Sequence, residues 1–162
     1  MEIERKWLIE PKDIPYDLSA LKAIEIEQAY ISFAPVVRVR NINHGEKYIL
    51  TIKRPTEFKG LASFEDELEL DERTFQFLRS AAAGNILLKT RYLHELPSGL
   101  LEEIDIFSGD FEGLAYLEIE FPDKESAEAY PSPDWIKEDV TYKPEYKNNS
   151  LAQHGLPGDW QR

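Results

Sequence analysis

The stretch Glu2-Ile3-Glu4-Arg5-Lys6-Trp7-Leu8-Ile9 decides the fold class. Side chains two apart share one face of a β-strand, so Glu2, Glu4 and Lys6 stand together, opposite Ile3, Trp7 and Ile9. The same alternation recurs down the chain. Val36-Val37-Arg38-Val39-Arg40 sets two arginines opposite Val37 and Val39, and Tyr48 to Lys53 puts Thr51 beside Lys53. Phe64 to Leu70 carries Glu65, Glu67 and Glu69 on one face; Lys89 then pairs with Arg91, Glu103 with Asp105, and Glu118 with Glu120. Strands are expected over 2–9, 26–34, 36–43, 46–54, 62–70, 86–95, 100–108 and 114–121. Short separators rich in Gly, Pro and Asn, such as Asn43-His44-Gly45 and Pro97-Ser98-Gly99, imply antiparallel neighbours.

Solvent-facing strand positions ordinarily mix signs, because like charges two residues apart repel. A sheet with its charged face in water explains any one strand. Segregation of acids and bases onto separate strands, repeated along the chain, points instead to a face turned toward a ligand. Eight strands is also the number at which a barrel closes around side chains and a small ligand. The expected fold is therefore mainly β (α+β): a closed eight-stranded antiparallel β-barrel with its charged face inward and short helices packed outside. Asp71 is positioned to cap a helix over 72–83, and Asp17 a short turn. A further helix starts at Pro122-Asp123 and runs to about Tyr130, and a C-terminal helix runs from Asn148 or Asn149 to Gly155. One domain is expected over 1–155, with 156–162 as a tail.

Composition narrows the function classes. The 162 residues carry a net charge of −12 and no cysteine, which excludes disulfides and thiolate metal sites. No stretch approaches the roughly 18 apolar residues of a membrane span, and the N-terminus lacks a secretory layout. A cytoplasmic protein is expected, with no nucleic-acid and no membrane partner, since both need a basic field. Clustered carboxylates suit hard cations bound through oxygen, while clustered Arg and Lys suit phosphate oxygens. Together they match phosphoryl transfer, where positioning and charge neutralisation supply most of the catalysis.

The ordered set of motifs resembles one known group. Glu2-Ile3-Glu4-Arg5-Lys6 has the Glu-x-Glu-x-Lys signature of the CYTH superfamily, the triphosphate tunnel metalloenzymes. Gln28-Ala29-Tyr30, Val37-Arg38-Val39-Arg40, Leu50-Thr51-Ile52-Lys53, Glu65 to Glu69, Lys89-Thr90-Arg91, Glu103-Ile104-Asp105 and Leu117 to Phe121 follow in order. Asp139-Val140-Thr141-Tyr142 and Tyr146 to Ala152 are similar to the family's C-terminal segment. The resemblance implies a triphosphatase whose tunnel holds Mg2+ or Mn2+ on an acidic side and a small-molecule triphosphate on a basic side. Glu2, Glu4, Glu118 and Glu120 are then the leading metal ligands, with Glu67, Glu69, Glu103 and Asp105 as further ligands or organisers of bound water. Arg38, Arg40, Lys53, Lys89 and Arg91 would hold phosphates. Lys6 and Glu4 would act at the reacting end, Lys6 touching the terminal phosphate or the attacking water.

Other residues read as structural. Arg5, Arg54 and Asp66 have outward parity and are expected as surface charges; Glu102 is expected in solvent, and Glu65 at the rim as readily as inside. His44, His94 and His154 are scattered, and Trp7, Trp135 and Trp160 read as packing groups. Lys143 and Lys147 either close one tunnel end or serve as caps and solvated charges, and Thr51 fills space between charges. Inorganic tripolyphosphate is the first expected substrate. The alternatives are thiamine triphosphate hydrolysis, nucleoside triphosphate hydrolysis, adenylate cyclisation, or a polyphosphate-binding module without turnover. Apolar surface left outside the barrel would offer a face for a homodimer.

Overall fold

A computed structural model describes residues 1–162. Eight antiparallel strands carry the alternation: β1 Glu2–Leu8, β2 Lys22–Phe33, β3 Val36–Ile42, β4 Lys47–Pro55, β5 Ala62–Leu70, β6 Ala83–Glu95, β7 Leu101–Ser108 and β8 Ala115–Phe121. Around the barrel they run β5-β4-β3-β2-β6-β7-β8-β1, and β1 returns to β5 to close it. That seam is short. Only Glu2 and Ile3 of β1 pair with Ser63 and Ala62 of β5. Beyond it a two-residue strand, β9 (Glu138–Asp139), takes the same edge of β1 at Trp7 and Leu8.

β2 and β6 are longer than the apolar pattern indicates. Lys22 pairs with Leu93 and Tyr30 with Ala83, with a register shift between Gln28 and Tyr30. The expected helix over 72–83 therefore ends early. α1 (Glu72–Ser80) is capped by Asp71, which accepts from the Thr74 amide at 2.7 Å, and Ala83 already belongs to β6. Phe75, fully buried on Ala29 and Val39, fixes α1 to the outer face of β2 and β3. α2 (Lys124–Ala129) is capped by Asp123 and covers β1 and β8 through Ala127. α3 (Asn148–His154) packs on β6 and β2. No helix is long and apolar enough to cross a membrane.

The interior is not charged throughout. Inward positions change from charged to apolar along single strands: Glu2, Glu4, Lys6, then Leu8 on β1; Glu120, Glu118, Tyr116 on β8, then Leu114 just before it. β7 runs Glu103, Asp105, Phe107, and β6 runs Arg91, Lys89, Leu87. The apolar ends meet Val140, Tyr146, Leu151 and Ala152 in one buried cluster. The C-terminal segment thus fills one half of the barrel with hydrocarbon and leaves the charged half open. Burying both halves dry would strand charges without water, which costs far more than hydrophobic burial returns.

α3 sits close because residue 84 has no side chain. Gly84 has φ +70°, and a Cβ there would lie 2.2 Å from the Ala152 carbonyl oxygen. Gly84→Ala is expected to lose about 2 kcal/mol or more of stability by denaturant titration, through both backbone strain and displacement of α3.

Candidate active site

The open half of the barrel is a cavity of about 700 Å³. Its walls hold Glu2, Glu4 and Lys6 from β1, Arg38 and Arg40 from β3, Lys53 from β4, Glu67 from β5, Arg91 from β6, Glu103 from β7, and Glu118 and Glu120 from β8. Sheet order makes this one acidic arc, β7-β8-β1, facing one basic arc, β6-β2-β3-β4. Parity placed these residues on the inward face; register decides which of them meet.

Three expected site residues lie elsewhere. Lys89 and Asp105 are sealed below the cavity floor, both side chains at 0% exposure, with Nζ and Oδ2 2.8 Å apart. Asp105 also accepts a two-pronged contact from Arg91, Nε to Oδ1 at 2.8 Å and Nη2 to Oδ2 at 2.9 Å. Burial pushes the Asp105 carboxyl up, but Arg91 and Lys89 hold it far below the usual carboxylate range. With both its oxygens engaged, Asp105 orients Arg91 and does not face the cavity. Glu69 has inward parity, yet it lies beyond the two-pair seam, where the far edge of β5 is unpaired; it is exposed and does not line the cavity.

Two outward residues expected in solvent are buried. Arg5 is 7% exposed because α2 and the C-terminal segment cover it. Glu102 is 2% exposed; it accepts from the Tyr16 hydroxyl at 2.7 Å and lies 2.8 Å from His94 Nδ1, beneath the chain linking β1 and β2. Outward parity means solvent only where nothing packs on the sheet. Arg54 and Asp66 meet that condition and pair with each other at 3.1 Å on the surface.

The acidic arc sets like charges against each other. Glu4 stands directly across from Glu120, and Glu103 from Glu118. Contact with Glu2, then burial, then the charges of Glu2, Glu103 and Glu4 raise Glu120 to about 8. Burial raises Glu103 to about 7 although Arg91 Nη1 is 2.8 Å from it. Glu118 Oε1 is buried without a hydrogen bond, 3.2 Å from Lys6 Nζ but not aligned with it. No three acidic or histidine side chains stand in a ligating arrangement. An oxygen-only donor set with surplus negative charge and an unpartnered buried oxygen fits a hard divalent cation.

The basic arc is partly neutralised. Lys53 Nζ is 3.2 Å, and Arg38 Nη2 3.6 Å, from Glu65 Oε1, which puts Glu65 inside and not on the rim. Arg38 Nε and Thr51 Oγ1, on facing residues of β3 and β4, are buried with no hydrogen-bond partner. Arg40 donates through Nε to Gln28 Oε1 at 2.7 Å, and Gln28 Nε2 to the Tyr30 hydroxyl at 2.7 Å. Arg40 and Lys147 are the cavity cations with no carboxylate partner. Burial, then Arg38 and Arg91, press Arg40 down to about 9; burial and then Lys6 press Lys147 down to about 8. Cations left without anions in a cavity mark where a ligand's negative charge belongs.

Gln28, Tyr30, Asn148 and Asn149 escaped the sequence-level assignment. Neutral residues carry no like-charge signal, and the asparagines reach the wall only because α3 docks there. Lys147 lines the cavity with them. Lys143 does not; it pairs with Glu138 outside.

A family model for the CYTH domain matches residues 1–155. The chain belongs to the CYTH domain family. It is 34% identical over 152 residues to the inorganic triphosphatase of Nitrosomonas europaea, covering 93% of this chain and 96% of that protein. It is 32% identical over 155 residues to the inorganic triphosphatase of Acetivibrio thermocellus, covering 94% of each. A crystal structure of the inorganic triphosphatase NE1496 superposes with a TM-score of 0.67 at 34% identity, over 94% of each chain. The closed antiparallel barrel expected from parity is thus the CYTH barrel.

Unneutralised carboxylates leave a stability signature in the metal-free CYTH barrel. A carboxyl raised in the folded state takes up protons more readily than the unfolded chain, so stability falls as pH rises from its ordinary value toward the raised one. In EDTA, the melting temperature should decline with rising pH up to about 8 through Glu120, and Glu120→Gln should flatten that decline. Scanning calorimetry across this range measures both.

Proposed function

We propose that this protein hydrolyses a phosphoric anhydride bond of a triphosphate, with inorganic tripolyphosphate as the leading substrate and Mg2+ or Mn2+ as the required ion. The carrying observation is the division of one cavity into carboxylates without a cationic partner on β1 and β8 (Glu2, Glu4 and Glu120) and cations without a carboxylate partner, Arg40 and Lys147. The relatives from Nitrosomonas europaea and Acetivibrio thermocellus, both named inorganic triphosphatase, support the same reading.

Glu2, Glu4, Glu103, Glu118 and Glu120 would hold the metal, with Glu67 facing them from β5. When bound, a divalent ion lowers the pKa of a coordinated water and shields phosphate oxygens. The protein's own residues do the rest. Arg38, Arg40, Lys53 and Arg91 grip phosphate oxygens, the arginines through their planar forks. Because Asp105 and Gln28 already hold Arg91 and Arg40 in place, little reorganisation is needed as charge develops. Lys6 approaches the reacting end beside Glu4, and its ammonium balances charge on the terminal phosphate. Lys147 adds a cation from the C-terminal segment. A non-catalytic binding module needs the basic arc but gains nothing from the repelling acidic one.

A triphosphate with an organic end is the second reading, favoured by Phe33, Pro35 and Pro55 in the cavity wall. Phosphate release from tripolyphosphate, ATP and thiamine triphosphate, with Mg2+, Mn2+ or EDTA, separates the two. Tripolyphosphate should be cleaved fastest and EDTA should abolish release; no metal-dependent release from any of the three rejects the enzyme. Glu4→Gln should cut turnover at least about 100-fold, in the range of removing a group that stabilises transition-state charge. Arg38→Ala and Arg40→Ala should weaken substrate binding; intact binding in both would reject the phosphate assignment.

Lys147→Met should raise KM for tripolyphosphate by roughly 10-fold, the worth of one charge-assisted contact of about 1.5 kcal/mol, while Lys143→Met leaves it unchanged. Steady-state kinetics distinguish the two lysines.

A further inference from the structure

Every other residue of β1 directs its backbone amide and carbonyl at the edge that closes the barrel. Two different parts of the chain share this edge. The Glu4 amide donates to the Leu61 carbonyl, next to β5. At Lys6 the partner changes: its amide donates to Thr141 Oγ1 at 3.0 Å, and its carbonyl accepts from the Val140 amide at 3.0 Å. The Leu8 carbonyl accepts from the Lys137 amide at 2.9 Å. Lys6 Nζ meets the same segment again at the Tyr146 carbonyl, 3.4 Å away. Lys6 is therefore held at both ends by residues 137–146.

A side-chain hydroxyl is an unusual strand partner, since it rotates unless something fixes it. Asp139 fixes it. Thr141 Oγ1 lies 2.6 Å from Asp139 Oδ1, which also accepts from the Thr141 amide at 3.0 Å. The other Asp139 oxygen lies 2.6 Å from Arg5 Nη2. Arg5 Nη1 donates at the end of α2, reaching the Ala127 carbonyl at 2.7 Å and the Tyr130 carbonyl at 2.9 Å, with Trp7 beneath the guanidinium. One guanidinium thus ties β1, α2 and the C-terminal segment together. All its partners lie outside the barrel, opposite the cavity.

We propose that Arg5 is a positioning residue for the reaction, acting through Asp139 and Thr141 on the backbone of Lys6. This rests on the triphosphatase reading for its kinetic test. Arg5 meets no substrate. It sets the hydroxyl that receives the Lys6 amide, and with it the segment that leads on to Lys147, Asn148 and Asn149. A lysine in its place could pair with Asp139 but could not also span both α2 carbonyls.

The test uses the isosteric Thr141→Val and the hydroxyl-retaining Thr141→Ser in the full chain, with Arg5→Met and the double variant Arg5→Met/Thr141→Val. Each is measured well below its own melting temperature. Thr141→Val should lower kcat for tripolyphosphate at least 10-fold with KM changed less than three-fold, and Thr141→Ser should restore kcat. Arg5→Met should lower kcat similarly, and the double variant should be no worse than Arg5→Met alone. A Thr141→Val kcat within two-fold of the unaltered protein, or losses that multiply in the double variant, overturns the relay. Hydrogen exchange at the Lys6 amide keeps the test independent of activity. It should quicken in Thr141→Val and in Arg5→Met, and unchanged exchange in Arg5→Met overturns the proposal even if the protein cleaves no triphosphate.

Discussion

Charge withdrawn from water needs a partner, and the whole barrel is organised around that requirement. Its interior takes in acidic and basic side chains from seven strands. Some are neutralised in place: Lys89 by Asp105, Arg91 by Asp105 and Glu103, Lys53 by Glu65. Others are left with surplus charge of one sign, namely Glu2, Glu4 and Glu120 on one side and Arg40 and Lys147 on the other. Neutralised pairs stiffen the walls. Unneutralised groups leave the two arcs with opposite surplus charge, because no partner within the protein reaches them.

The apolar half of the barrel follows from the same requirement. A wholly charged interior would be a water channel with little to hold eight strands in one closed register. Leu8, Leu87, Phe107, Leu114 and Tyr116 supply that hold by packing on Tyr146 and Leu151. The price is that the C-terminal segment becomes part of the wall. Residues that look peripheral in the chain, from Glu138 to Asn149, then close the edge of β1 and reach the cavity.

Surplus charge is also a source of instability. Carboxylates facing each other across β1, β8 and β7 raise the energy of the metal-free fold, and the outer clusters under α1 and α2 offset that cost. Functional sites commonly depart from the best stability in this way. Here the departure is local and electrostatic, so its signature is a pH-dependent stability and not a weak core.

Parity along each strand is a covalent property of the chain, and it was fully legible. It assigned Glu2, Glu4, Arg38, Arg40, Lys53, Glu103, Glu118 and Glu120 to the inward face, and the order of the motifs identified the family. How far along the barrel a side chain lies was not legible, because depth depends on register and on where β1 meets β5. That is why Lys89 and Asp105 proved sealed and Glu69 exposed despite correct parity. What covers an outward residue was hidden for the same reason: Arg5 and Glu102 are buried by segments more than 80 residues away in the chain. The alternating sequence by itself determined which face each charge takes. Only the tertiary closure of the barrel decided which of those charges remain unpaired, because pairing depends on register and on depth along the barrel.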